Sequence, residues 1–117
     1  MSLKVGTDII VVSRIEESIK KFGEKFLDRF LDEDEKKIAL KHESIAGFWA
    51  AKEAISKALG CGIGKELQFK DIKIKKNNKN MPYFELKKNK FDIIDSSLSI
   101  SHDGGFAIAV VAIDINL

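Results

Sequence analysis

The sequence of 117 residues contains one cysteine, Cys61, so no disulfide can form within the chain. No histidine lies near Cys61 in sequence to activate its thiol, and it reads as a small loop residue. No apolar run approaches the roughly 20 residues that a membrane helix needs. The opening Met1-Ser2-Leu3-Lys4 lacks the apolar core of a signal peptide. These shortages point to a cytoplasmic protein without a membrane partner. Neither sign of charge dominates: 20 Lys and Arg against 18 Asp and Glu leave a net +2, too little to argue for nucleic acid. Also missing are a thiolate or histidine zinc cluster, a P-loop and a nucleophile elbow. What is present, 44% hydrophobic and 32% charged residues with a single proline, suits a folded globular protein. The length suits a single domain over 1–117.

Leu3 to Val12 is β-branched and mostly apolar, which predicts a strand buried on both faces. Asp8 lies inside it, and an isolated ionised carboxylate there would cost several kcal/mol. It should therefore be paired with a cation, bound to a metal, or placed at an opening in the fold. Ser13 and Glu16 have the spacing of a helix capping box. Ile15, Ile19, Phe22, Phe26 and Phe30 then form one helical stripe, with Gly23 placed to bend or divide it. Arg14, Lys21, Lys25 and Arg29 run beside that stripe with Lys20. Such a ridge is either a solvated face, given the interleaved Glu16, Glu17, Glu24 and Asp28, or a dock for an acidic partner helix. Asp32 to His42 predicts a second helix, capped by Asp32 and Glu35, with Lys36, Lys37, Lys41 and His42 toward its end.

A third helix is expected from about Ser44 to the glycines at 60, 62 and 64. Ala50, Ala51, Ala54 and Ala58 would let another backbone approach closely, while Glu53 shares a face with Trp49, Ala50, Ser56 and Lys57. Beyond Leu67 the pattern shortens. Phe69, Ile72 and Ile74, the polar turn Lys75 to Asn80, and Tyr83, Phe84 and Leu86 predict a hairpin. Leu98 to Ser101 alternates as a strand, His102 to Gly105 makes a turn, and Phe106 to Ile115 reads as a long buried strand. The order of a strand, helices and a β-meander gives an α+β fold.

Three polar points stand out in these apolar surroundings: Asp8, Glu53 with Lys57, and His102. Two carboxylates from separate elements with few nitrogen ligands suit Mg²⁺, which takes one or two carboxylates and completes its shell with water and phosphate oxygens. Mg²⁺ beside lysine is equipment for breaking a phosphate ester or anhydride.

The combination G-T-D-I, then Arg14-Ile15, then W-A-A-K-E-A-I-S-K-A-L-G-C-G-I-G, then I-S-H-D resembles the holo-acyl-carrier-protein synthases, the small group I 4′-phosphopantetheinyl transferases. The resemblance spans nearly the whole chain. It implies a long core helix on an antiparallel sheet, a homotrimer with shared active sites, and a role in fatty acid biosynthesis. The implied reaction moves 4′-phosphopantetheine from coenzyme A to a serine of acyl carrier protein and releases adenosine 3′,5′-bisphosphate. By the same resemblance Asp8 and Glu53 are Mg²⁺ ligands and, with Lys57 at the pyrophosphate, the catalytic residues. Ser56, Lys57, His102 and Pro82 fall at coenzyme A. Arg14, Lys21, Lys25 and Arg29 receive the carrier, which favours the docking reading of the ridge. Two positions depart from the family pattern. Phe48 stands where many members have arginine, so a coenzyme A phosphate contact is either lost or supplied by another cation such as Lys41 or Lys65, and Asn80-Met81-Pro82 stands where many have G-K-P. The rival readings are a non-catalytic basic adaptor for an acidic protein or RNA, and the same chemistry on another carrier.

Overall fold

The computed structural model describes residues 2–87 and 90–116. Strands β1 (Ser2–Val11), β4 (Ile93–Asp103) and β5 (Phe106–Ile115) form an antiparallel sheet in the order β1-β5-β4. Strands β2 (Ile72–Lys76) and β3 (Pro82–Leu86) form the expected hairpin as a separate two-stranded sheet. The α-helices among the described residues are α1 (Val12–Phe22), α2 (Glu24–Asp28), α3 (Glu33–Ile38) and α4 (His42–Ala58). The architecture is α+β, with the long α4 packed on the three-stranded sheet.

Among the described residues only one face of that sheet is covered. Ala107, Ala109, Val111 and Ile113 alternate inward under α4, whereas Phe106, Ile108 and Val110 face out. On β1, Leu3, Val5 and Ile9 are 70%, 63% and 58% exposed. The expectation of strands buried on both faces is therefore corrected within one chain. β1 is an edge strand, and its apolar outer residues continue into those of β5 through the register Val5↔Ala112, Ile9↔Ile108 and Val11↔Phe106. The turn joining β4 to β5 is tighter than expected. His102 and Asp103 end β4, and Gly104 and Gly105 alone make the connection, both at positive φ as a two-residue hairpin requires.

The inner face of β1 meets α4 backbone to backbone. A Cβ added to Gly6 would lie 1.9 Å from the carbonyl oxygen of Ala54, a clash no side-chain rotation relieves. Ala50, Ala51 and Ala54 are fully buried, which is what so close a contact requires. Gly6→Ala is expected to destabilise the fold by about 3 kcal/mol or more, since β1 must retreat from the helix. Thermal unfolding measures this, and an unchanged Tm would show that β1 has room to move.

The predicted break at Gly23 is present: its φ of 58° separates α1 from α2. The Asp32–Glu35 capping box also forms, with Asp32 accepting from Glu35 N at 2.8 Å and Glu35 accepting from Asp32 N at 2.9 Å. Three expectations for the helices are corrected. Ser13 caps nothing, because the chain passes from β1 straight into α1 with Val11 at the N-cap, and Val12 N donates to Gly105 O at 2.8 Å instead. Phe22 leaves the buried stripe and is 57% exposed, because Gly23 ends α1 beside it. His42 begins α4 rather than ending α3; its Nδ1 lies 3.4 Å from Glu16.

Lys52 was unassigned by pattern and is completely buried. Its ammonium donates to the Glu35 carboxylate at 2.9 Å, to Phe30 O at 2.6 Å and to Phe69 O at 3.1 Å, so all three of its protons have acceptors. Glu35 also accepts from Ile74 N at 2.9 Å. One ion pair thus joins α4, the α2–α3 connection, the 3-10 turn at Phe69–Asp71 and β2. Burial pushes the Lys52 pKa down, and the Glu35 carboxylate opposes that shift.

Candidate active site

Asp8 lies on the inward side of β1, two residues beyond Gly6, where the strand runs against the last turns of α4. Lys57 reaches it from α4: Nζ is 2.9 Å from Asp8 Oδ1 and 3.1 Å from Thr7 O. Glu53 stands one turn back on the same helix. Its pKa is raised, first by burial and then by the Asp8 carboxylate, with Lys57 opposing. Strand and helix therefore bring Asp8, Glu53 and Lys57 together.

Asp8 is paired with a cation, the first of the alternatives open to it in the sequence. Among the described residues the Glu53 carboxylate has neither an ion pair nor a hydrogen bond, although it is half-buried beside another carboxylate. Two hard oxygen donors with one unneutralised charge between them fit a divalent cation that leaves most of its shell to water and substrate. Among the described residues no three or more His, Cys, Asp or Glu gather as a closed metal cage.

Ser56 follows a different course. Its side chain is fully buried and its hydroxyl donates to the Glu53 carbonyl at 2.7 Å, so within one chain it lines no open surface. Pro82 and His102 do meet: with Phe48, Lys76 and Ile100 they line a cleft of about 160 Å³ between the start of α4 and the β2–β3 hairpin. His102 also borders a larger hollow of about 720 Å³ with Ser13, Glu16, Glu43 and the Gly104-Gly105 turn. Asp8, Glu53 and Lys57 line neither. Within one chain the expected site residues therefore fall into two groups. Phe48 is 2% exposed and closes the cleft with an apolar wall. Lys76 lines this cleft with Phe48, and Lys41 and Lys65 do not. Lys76 escaped the sequence reading because its placement depends on how the hairpin packs against α4.

Arg14, Lys21, Lys25 and Arg29 are all exposed, and none has an ion-pair partner among the described residues. Three of the four acids interleaved with them in sequence, Glu16, Glu24 and Asp28, are engaged elsewhere. Lys36 gathers Glu24 at 3.0 Å, Glu33 at 3.2 Å and Asp28, and these contacts hold its own pKa well above the usual lysine value. Glu16 turns toward His42. The solvated-face reading counted on that interleaving, and the fold removes much of it.

A small α+β domain that presents paired carboxylates and a lysine beside an open surface has the equipment of a phosphoryl-group transferase. A family model described as the 4′-phosphopantetheinyl transferase superfamily matches residues 4–111. The holo-[acyl-carrier-protein] synthase of Nautilia profundicola is 58% identical over 92% of this chain and 96% of its own. That of Sulfurovum sp. is 54% identical over 96% and 97%. Among solved structures, the Helicobacter pylori holo-[acyl-carrier-protein] synthase in complex with coenzyme A superposes with a TM-score of 0.90 at 54% identity, covering 94% of this chain and 99% of that one. A holo-(acyl-carrier-protein) synthase from Bacillus anthracis gives 0.81 at 40% identity, with 94% of each chain covered. The chain belongs to the 4′-phosphopantetheinyl transferase superfamily and, within it, to the holo-[acyl-carrier-protein] synthases.

Proposed function

We propose that the protein transfers the 4′-phosphopantetheine group of coenzyme A to a serine hydroxyl of apo acyl carrier protein in the cytoplasm. The observation that carries this reading is the convergence of Asp8, Glu53 and Lys57 in a chain that superposes on a coenzyme A complex. The serine oxygen forms a bond to the phosphorus attached to pantetheine. The bond from that phosphorus to the bridging pyrophosphate oxygen breaks, adenosine 3′,5′-bisphosphate departs with the electron pair, and the serine proton passes to Glu53 or to water. Asp8 and Glu53 are the residues that would hold Mg²⁺, which when bound neutralises charge on the pyrophosphate oxygens. Lys57, now on Asp8, is within reach to stabilise the departing phosphate once that carboxylate has another cation. His102, Pro82 and Lys76 would line the rest of the coenzyme A site. Ser56 would support Glu53 through its hydrogen bond.

The two halves of this site lie apart in one chain, and the outer face of β1 and β5 is apolar and uncovered. Both features support a closed trimer in which neighbouring subunits complete each site. Incubation with coenzyme A, Mg²⁺ and apo carrier protein should add one phosphopantetheine to the carrier, read by mass spectrometry. Light scattering should return three times the chain mass of 13.1 kDa. A carrier left unmodified across Mg²⁺ and Mn²⁺ would favour the non-catalytic adaptor, and a monomer would remove the shared site.

A further inference from the structure

We propose that Lys57 is an internal competitor for the metal: it holds Asp8 in the resting chain and yields it when a coenzyme A phosphate takes the ammonium. Metal and coenzyme A then bind cooperatively, and Lys57 is the link between them. The inference rests on the metal and coenzyme A assignments proposed above.

Lys57 already supplies Asp8 with a cation. Its Nζ lies 2.9 Å from Asp8 Oδ1 and 3.1 Å from Thr7 O, so the ammonium is anchored on β1 at two oxygens. This is the one ion pair of Asp8 among the described residues, and Glu53 has none there. While the pair holds, one of the two carboxylate charges is cancelled. A divalent cation that needs both must therefore displace the lysine.

The backbone is not free to release Asp8. β1 and α4 meet backbone to backbone at Gly6 and Ala54, and the fully buried Ala50, Ala51 and Ala54 pack there. Drawing the two elements apart would open the core. The lysine is the movable part. Its side chain is 53% exposed, against 17% for Asp8, and it rides on a flexible four-carbon stem. Two of its three protons have acceptors among the described residues, so a phosphate oxygen can engage the third before the ammonium leaves Asp8. An ion pair this open is weak enough to exchange. Lys52, fully buried on three acceptors, is the contrasting case on the same helix.

Mn²⁺ is the probe, titrated into the intact protein with and without coenzyme A and with no carrier present. Electron paramagnetic resonance reads the free metal. Coenzyme A should strengthen metal binding by the unaltered protein, after subtraction of the metal that coenzyme A holds by itself. Lys57→Met alone should bind Mn²⁺ roughly three- to tenfold more tightly, and the strengthening by coenzyme A should shrink by about the same factor. Lys4→Met, at an exposed position about 13 Å along β1 from Asp8, should change neither. A Lys57→Met protein that binds metal no better, or less well, overturns the proposal. So does equal tightening with and without coenzyme A, which would make Lys57 a fixed neighbouring charge. Absence of metal binding by the unaltered protein under both conditions overturns the competition together with the metal assignment. The expected metal pattern in a protein that transfers nothing to carrier would support the competition and count against the reaction instead.

Discussion

Glu53→Gln is expected to lower transfer by roughly a hundredfold or more while making the metal-free chain more stable. The two effects share one cause. Burial and the Asp8 carboxylate raise the Glu53 pKa in the fold, so its ionised form is disfavoured there relative to the unfolded chain. The sign follows from proton binding. Between the unfolded and the raised folded value the folded chain holds more protons. The favourable contribution is therefore complete below the unfolded value and lost as pH rises through the folded one. At neutral pH the carboxylate is a net cost, and the amide removes it along with one oxygen charge for the cation. Added Mg²⁺ should raise the Tm of the unaltered protein and leave that of Glu53→Gln nearly still. Asp8→Asn should likewise suppress transfer, but it also strips Lys57 of its partner. Full transfer with both carboxylates removed would end the metal assignment. The raised pKa further predicts that Mg²⁺ binding to the metal-free chain weakens on the acid side at a higher pH than an ordinary glutamate would give.

Lys52→Met should cost about 3–5 kcal/mol, a large share of the total for a domain of this size. The loss is large because Glu35 would remain buried as an unpaired carboxylate while Phe30 O and Phe69 O each lose a donor. Adding Glu35→Gln to Lys52→Met should recover part of the loss. The amide is neutral and its oxygen can still accept from Ile74 N or Asp32 N. Urea denaturation with an unchanged slope would measure both variants. A single-variant cost under about 1 kcal/mol would mean that the pair is dispensable, as some buried pairs are.

Local signals in the sequence survived folding where a short-range geometry governs them. The break at Gly23, the Asp32–Glu35 box, the β2–β3 hairpin and the approach of β1 to the alanines of α4 all follow from spacing or side-chain size. Asp8 and Glu53 could be singled out because carboxylates amid β-branched and alanine-rich runs need a partner. What failed depended on distant partners. Lys52 and Glu35 are 17 residues apart, and no period links them. The outward apolar residues of β1 and β5 have the same pattern whether a helix or a second chain covers them. Ser13 has a capping box's spacing, but the absence of any loop between β1 and α1 denies it the cap position. The surroundings of Phe48 depend on how the β2–β3 hairpin packs against α4, which no local pattern specifies.

Lys52 and Glu53 are sequence neighbours, and their side chains leave α4 about 100° apart. One is bolted into the interior at three oxygens, and the other stands at the carboxylate pair. The bolt sets the azimuth of the whole helix. If α4 rolled by 20° about its axis, a carboxylate carried about 6 Å from that axis would swing by about 2 Å. That displacement is enough to spoil a site whose reaction depends on fixed geometry. The buried lysine therefore acts as an angular stop for its neighbour. A variant that loosened it while still folding would show broadened metal affinity before it showed any change in secondary structure.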